Sequence, residues 1–203
     1  MTTDYTQHWE TVYQTKQPNE VSWTQEIPQT SLDFIHSFHL PKSARIIDIG
    51  GGDSKLVDYL LEEGYKNISV LDISPTSIER AKKRLGDMAE KVTWIVSDIT
   101  AFHPDTTYDI WHDRAAFHFL TAPEQITIYK NIVEKAVTGY MVIGTFSESG
   151  PKKCSGLDIC QYSVESLNET FKETFTPLHS IYTEHVTPFN TTQHFVFASF
   201  KAK

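Results

Sequence analysis

A regular alternation of short apolar runs with helical segments, from residue 44 to residue 146, constrains the fold more than any other feature of this sequence. Parallel neighbouring strands need a crossover between them, usually a helix, so the alternation predicts βαβ units. The predicted strands are Arg45–Ile49, Ile68–Asp72, Val92–Val96, Tyr108–His112 and Tyr140–Phe146. We therefore expect an α/β fold with a doubly wound, mainly parallel sheet.

Capping residues mark where the intervening helices begin and end. Ser74 before Pro75 is typical of an N-cap followed by the first helical position. Gly64 is placed to end a helix over Leu56–Leu61. Further helices are predicted over Pro123–Ala136 and Ser163–Phe171.

The end of the chain departs from the alternation. Two strand-like runs, near Leu178–Thr187 and His194–Lys201, follow each other without a helix between them. A short link cannot join parallel neighbours. We therefore expect a seven-stranded sheet with an antiparallel last strand, which differs from the six-stranded sheet of dinucleotide-binding dehydrogenases.

The length of 203 residues suits one domain. Residues 1–43 are polar and aromatic, and they predict an N-terminal helical extension or lid with a helix over Ser31–Phe38. Residues 44–203 carry the α/β pattern and are expected to bind the ligand.

Composition disfavours several classes of partner. The formal net charge of -8 disfavours nucleic acid. No apolar run approaches the roughly 20 residues of a membrane span, and Met1–Tyr5 lacks the segments of a secretory leader. Cys154 and Cys160 are too few for a disulfide framework. We expect a cytoplasmic protein without a nucleic-acid or membrane partner, and the sequence does not predict an oligomeric state.

A glycine run after the first predicted strand is the strongest functional signal. Gly50, Gly51 and Gly52 let the backbone turn sharply and let a ligand approach it closely. Asp48 precedes them, and Asp72 ends the next strand about 20 residues further on, a spacing typical of a carboxylate that binds ribose hydroxyls. In a doubly wound sheet, ligands bind at these carboxyl ends.

The third strand is followed by a further acid. Asp98 can accept a hydrogen bond from an adenine amino group, with Ile73 and Ile99 on either side of the ring. A dehydrogenase fingerprint would place a glycine where Lys55 stands, and Asp48 would sit unfavourably beside a pyrophosphate. The ordered set therefore favours an adenosylmethionine ligand, although each acid alone could be a strand-end cap.

These residues resemble the successive motifs of class I S-adenosylmethionine-dependent methyltransferases, over Arg45–Phe146. The resemblance implies that Asp48 and the glycines hold the methionine end of the cofactor, Asp72 the ribose and Asp98 the adenine. It implies S-adenosylmethionine as the cofactor and no metal. Gly51 stands where many members carry another small residue.

The fourth strand lacks the Asn/Asp-Pro-Pro-Tyr/Phe motif of DNA and protein-glutamine methyltransferases. Asp113–Phe117 instead resembles a run found in thiopurine-type methyltransferases and in seven-strand protein-lysine methyltransferases. Asp113 is the candidate for the reaction centre, where it could hold an amine, polarise a thiol or shape the pocket. The alternatives are an ion pair with Arg114 or a helix cap. His112 and His118 are expected to be structural.

Aromatic and sulfur side chains complete the candidates. Trp9, Tyr13 and Trp23 could form a lid, with Trp23 nearest to a sulfonium. Cys154 and Cys160 could serve thiol or metalloid substrates, but loop packing is the simpler interpretation, and their spacing is not a zinc signature. His185 could wall the acceptor pocket, although a structural role is the default.

The main functional hypothesis is methyl transfer to a small-molecule nucleophile by in-line displacement. One alternative is a protein-lysine methyltransferase, whose basic target would suit the acidic chain. A second alternative is a non-catalytic protein that binds S-adenosylmethionine.

Overall fold

The computed structural model describes residues 5–203, and a seven-stranded sheet forms its centre. The strands are β1 Arg45–Ile49, β2 Asn67–Asp72, β3 Val92–Val96, β4 Tyr108–Arg114, β5 Val137–Phe146, β6 Phe175–Val186 and β7 Thr192–Ala202. Their order in the sheet is β3-β2-β1-β4-β5-β7-β6. Strands β1 to β5 pair in parallel, and β7 is antiparallel to both β5 and β6. The predicted sheet with a reversed last strand is confirmed.

Six α-helices surround this sheet within residues 5–203. They are α1 Tyr5–Thr15, α2 Gln29–Ser37, α3 Leu56–Glu62, α4 Pro75–Leu85, α5 Pro123–Ala136 and α6 Val164–Phe171. The hydroxyl of Ser74 accepts from the backbone of Ser77 at the start of α4, and Gly64 follows α3 with φ of 87°. Both predicted caps are confirmed.

Residues 1–4, on which the expectation about a leader partly rests, lie outside the described residues. Within residues 5–203, no helix is long and apolar enough to cross a membrane.

Strand β4 extends two residues beyond its predicted end at His112. Asp113 and Arg114 continue the pairing with Ile143 and Gly144 of β5. A strand tolerates polar residues there because their side chains find partners on opposite faces of the sheet, as described below. Strand β5 also begins three residues earlier than predicted, at Val137.

The two faces of the sheet pack against different helices. Trp111 of β4 packs with Tyr129 of α5 on one face, whereas Ile110 belongs to the cluster that includes Leu32 and Ile35 of α2 on the other. Because side chains alternate along a strand, Asp113 shares the α5 face with Trp111, and Arg114 faces the other way.

The strand order reverses beside β1, since β2 lies on one side of it and β4 on the other. Crossovers leave the sheet in opposite directions at such a point, and a crevice forms at the carboxyl ends of the strands. The loop after β1 and the turn after β4 meet there. A Cβ atom at Gly50 would lie 2.9 Å from the Cβ of Ala116.

The N-terminal segment is held to this crevice by long-range contacts. Glu10 of α1 accepts hydrogen bonds from the hydroxyls of Ser74 and Thr76 at the start of α4. Burial alone would raise the pKa of Glu10, but these hydrogen bonds lower it below its ordinary value. The guanidinium of Arg80 donates to the carbonyl of Lys16 at 2.7 Å. Helix α1 is therefore anchored across α4.

Candidate functional site

A cavity of 510 Å³ lies at the carboxyl ends of β1 to β4, beneath the N-terminal segment. Eight of the ten predicted site residues line it, whereas Gly52 and Asp113 do not. The eight are Trp23, Asp48, Gly50, Gly51, Asp72, Ile73, Asp98 and Ile99. The structure thus brings together, in one space, residues that the sequence separates by up to 76 positions, from Trp23 to Ile99.

The glycine run lies against two acids. A Cβ atom at Gly51 would stand 2.5 Å from Oδ2 of Asp48, and one at Gly52 would overlap Oδ2 of Asp72. Real Cβ contacts of this length do not occur, so an alanine at either position would have to displace the neighbouring carboxylate. The prediction that Gly52 lines the cavity is wrong. Its backbone instead donates a hydrogen bond to the carboxylate of Asp72, which does line the cavity.

Asp48 is buried and held by a histidine. Its Oδ1 lies 2.6 Å from Nδ1 of His112, and Nε2 of the same ring lies 2.8 Å from the hydroxyl of Ser31. Because a carboxylate only accepts, Nδ1 carries the proton of this contact. The predicted structural role of His112 is realised as a relay that fixes the orientation of Asp48.

Asp72 is buried at the end of β2, where Oδ1 accepts from the backbone of Ser74 at 2.8 Å. Burial raises the pKa of Asp72 above its ordinary value of 3.8 to about 6, and the nearby charge of Asp48 adds to this rise. At neutral pH the carboxylate is ionised and can accept hydrogen bonds from hydroxyl groups in the cavity.

Asp98 combines a local cap with a position in the cavity. Its Oδ1 accepts from the backbone and the hydroxyl of Thr100, each at 2.7 Å, and so caps the short helical turn Ile99–Ala101. Ile73 and Ile99 line the cavity beside it. The capping role and the ligand-facing position therefore occur in the same residue.

Asp113 is not where the sequence hypothesis put it. Its Oδ1 accepts from the backbones of Ala116 and Phe117, and its Oδ2 accepts from the hydroxyl of Tyr129 at 2.9 Å. Burial raises the pKa of this carboxyl to about 6. Because β4 continues past His112, the alternation directs Asp113 towards α5 and away from the cavity.

The contacts of Asp113 fix the turn that follows β4. Ala115 has φ of 66°, a conformation that favours glycine. Ala115 and Ala116 line the cavity, so Asp113 shapes its wall through the backbone. Asp113 accepts from backbone amides beside the short helical turn Phe117–Phe119, and no ion pair joins it to Arg114 in the described chain.

Aromatic side chains line the cavity beneath the N-terminal segment, among them Trp9, Tyr13, Trp23 and Phe119. We call these four the aromatic cluster. The ring centres of Trp9 and Trp23 are 5.6 Å apart, and those of Trp9 and Phe119 are 5.1 Å apart, both edge to face. His185 does not line the cavity; its Nε2 donates to the carbonyl of Ser22 at 2.6 Å and holds this segment in place.

The two cysteines have different environments. Cys154 is buried and lines the cavity, and burial raises the pKa of its thiol to about 12. Cys160 lies outside the cavity, with its sulfur 3.8 Å from the carbonyl of Leu120. His118 is fully buried, and burial lowers its pKa to about 3, consistent with its predicted structural role.

Sequence reasoning missed several residues of the site. Glu10 and Ser31 had no assigned part, and Arg114 was considered only as an ion-pair partner of Asp113, although each residue anchors or lines the site. Glu10 and Ser31 act on partners more than 60 positions away, which no local pattern reveals. Arg114 lies within the motif already singled out. Side chains alternate along β4, and this alternation could have predicted that Arg114 faces the cavity.

Comparison with known proteins agrees with this architecture. Residues 46–139 match the family described as "Methyltransferase domain". The chain is 36% identical over 112 residues to a malonyl-[acyl-carrier protein] O-methyltransferase of Anoxybacillus flavithermus, covering 54% of this chain and 41% of that protein. It is 27% identical over 123 residues to the mouse eEF1A lysine and N-terminal methyltransferase, covering 60% of this chain and 17% of that protein. The chain thus spans less than half the length of these two relatives.

A solved structure extends the likeness to nearly the whole chain. The N-methyltransferase NodS from Bradyrhizobium japonicum, in complex with S-adenosylhomocysteine, superposes with a TM-score of 0.73 at 15% identity. The match covers 98% of this chain and 99% of that one. The predicted class I methyltransferase fold is therefore confirmed.

Proposed function

We propose that this protein, which carries a methyltransferase domain at residues 46–139 on a class I methyltransferase fold, transfers a methyl group from S-adenosylmethionine to a small-molecule nucleophile. The observation that carries the proposal is the convergence of Asp48, Asp72 and Asp98 on one cavity behind the glycine run. The methyltransferase names of the relatives, and the S-adenosylhomocysteine bound to NodS, support the same cofactor.

The order of the acids across the sheet sets the direction of the cofactor. Asp98 follows β3, Asp72 ends β2 and Asp48 lies in β1. With adenine at Asp98 and ribose at Asp72, the methionine end reaches Asp48, which can receive its ammonium group. The turn after β4 and the aromatic cluster would then line the space beside the transferred methyl group. Aromatic faces attract cations, so Trp23 suits the sulfonium.

Methyl transfer from a sulfonium needs few catalytic groups from the protein. A sulfonium is already a good leaving group, so the protein mainly aligns the reactants and excludes water. Near the turn after β4, the described lining includes Arg114, Cys154 and Phe119, and Asp113 is turned away. Since the thiol of Cys154 has a raised pKa, it is a poor proton acceptor. The acceptor therefore attacks as an anion or as a neutral nucleophile that loses its proton to solvent.

The size of the cavity favours a small acceptor. Its 510 Å³ falls within the range of roughly 300–1,000 Å³ typical of small-molecule sites, and the cofactor would occupy part of it. A protein lysine is the second candidate, because the net charge of -8 suits a basic target and one relative is a lysine methyltransferase. A lysine side chain would have to enter beside the aromatic cluster.

A screen with methyl-labelled S-adenosylmethionine tests the proposal. Thiols, amines, carboxylates and metalloids are tested singly, and a cell lysate is separated after reaction into low-mass and protein fractions. The proposal expects label in the low-mass fraction. Label in protein alone would favour the lysine alternative, and tight cofactor binding without any transfer would favour the non-catalytic alternative.

A further inference from the structure

Arg114 is unusual among the cationic side chains that line the cavity. Arg80 and Arg84 pair with Asp53, and Lys55 pairs with Glu26. Arg114 forms no ion pair with any acid of residues 5–203. Burial lowers the pKa of Arg114 to about 10, so it remains a cation at neutral pH. Among the described cationic side chains that line the cavity, Arg114 is therefore the one without an ion pair.

The guanidinium of Arg114 is held in place but incompletely bonded. Its Nη1 donates to the carbonyl of Trp23 at 3.0 Å, and its Cζ lies 5.2 Å from the ring centre of Phe195. Its Nη2 is buried without a hydrogen-bond partner in the part of the chain that the structure describes. Buried charges in proteins are normally paired, and arginine binds carboxylates through two parallel hydrogen bonds.

The position of Arg114 assigns it to the acceptor side. Across the sheet the proposed cofactor contacts run from Asp98 through Asp72 to Asp48, that is, from β3 to β1. Arg114 lies on the next strand, β4, opposite Gly144 of β5. The negative charge of Asp48 also acts on Arg114, and Cys154 lines the cavity with it.

We propose that Arg114 binds a carboxylate of the methyl acceptor, so that the substrate is an organic anion held beside the transferred methyl group. This inference rests on the proposed function, since it names the class of acceptor for the same cavity. The anion would complete the bonding of the guanidinium and fix the nucleophile in line with the sulfonium. The alternative is that Arg114 binds the carboxylate of the cofactor's methionine moiety instead.

Calorimetry separates these two alternatives. Protein saturated with S-adenosylhomocysteine is titrated with acetate, malonate and benzoate, and with acetamide, malonamide and benzamide as their neutral counterparts. At least one carboxylate should bind tenfold or more tightly than its amide. Arg114→Gln should remove that preference while the affinity for S-adenosylhomocysteine stays within twofold. Arg45→Gln is the matched control, because Arg45 lies at the opposite end of β1 and bonds Thr106 and Thr107.

Three results would overturn the inference. They are a tenfold loss of S-adenosylhomocysteine affinity in Arg114→Gln, an equal affinity of carboxylates and amides in the parent, and a preference that persists in the variant. If Arg114→Gln does not fold, Arg114→Lys takes its place, and it should weaken carboxylate binding but not cofactor binding. Failure of the parent to bind S-adenosylhomocysteine would instead refute the proposed function.

Discussion

Replacing Asp72 by asparagine should stabilise the free protein and weaken cofactor binding at the same time. Burial raises the pKa of Asp72 from 3.8 to about 6. A shift of this size means that the ionised form costs the folded state about 3 kcal/mol at pH 8. Asparagine removes the charge but places an amide nitrogen where Gly52 donates, which forfeits about 1 kcal/mol. We expect Asp72→Asn to raise the free energy of unfolding by about 1–2 kcal/mol at pH 8.

The stability gain of Asp72→Asn should depend on pH. The folded protein holds the Asp72 proton more tightly than the unfolded chain, so the penalty is absent below pH 3.8 and complete above about pH 6. Urea unfolding should therefore show the gain of Asp72→Asn at pH 8 and little of it at pH 4. Asp113, whose pKa is also raised to about 6, is unchanged in both proteins and cancels in the comparison.

Cofactor binding should change in the opposite sense. The ribose hydroxyls need the ionised carboxylate, so affinity of the parent for S-adenosylhomocysteine should fall about tenfold between pH 7 and pH 5. Asp72→Asn should bind about tenfold or more weakly at pH 8 and lose this pH dependence. Unchanged affinity in the variant would show that Asp72 does not hold the ribose. A less stable variant at pH 8 would refute the burial argument.

Three further substitutions test other parts of the site. Gly52→Ala should lower both the free energy of unfolding and the affinity for S-adenosylhomocysteine, each by about 1–3 kcal/mol, because its Cβ would displace the carboxylate of Asp72. An unchanged melting temperature together with an unchanged calorimetric affinity would contradict this. Asp113→Ala should lower the free energy of unfolding by about 2–4 kcal/mol, since it leaves two amides and a hydroxyl unbonded. The folded variant should keep its cofactor affinity within a few-fold of the parent. A loss of cofactor affinity without a loss of stability would place Asp113 in the cavity after all. Trp23→Ala should weaken binding of S-adenosylmethionine more than that of the uncharged thioether S-adenosylhomocysteine, by about 0.5–2 kcal/mol; an equal loss for both ligands would mean that Trp23 only packs the segment.

Local pattern and connection rules were enough to predict most of the fold. Ser74 and Gly64 set helix ends through bonds to residues close in sequence, and such bonds can be recognised from the sequence alone. The acids Asp48 and Asp72 could be placed together because carboxyl ends of parallel strands meet at one edge. The last strand could be reversed because its connection is too short for a crossover.

The remaining features depend on contacts that no local pattern carries. The extension of β4 by two residues decides which of Asp113 and Arg114 faces the cavity, and that extension is set by pairing with β5. The bond from Ser74 to Glu10 joins segments more than 60 residues apart, and only the packed structure brings them together. The partners of polar side chains that act across such distances therefore could not be predicted from the sequence.

Calorimetric titration of the parent protein tests the central claim most directly. S-adenosylhomocysteine and NAD are added separately at pH 8, where Asp72 is ionised. We expect S-adenosylhomocysteine to bind at one molecule per chain, and NAD not to bind because Asp48 would face its pyrophosphate. Binding of NAD without binding of S-adenosylhomocysteine would contradict the central claim.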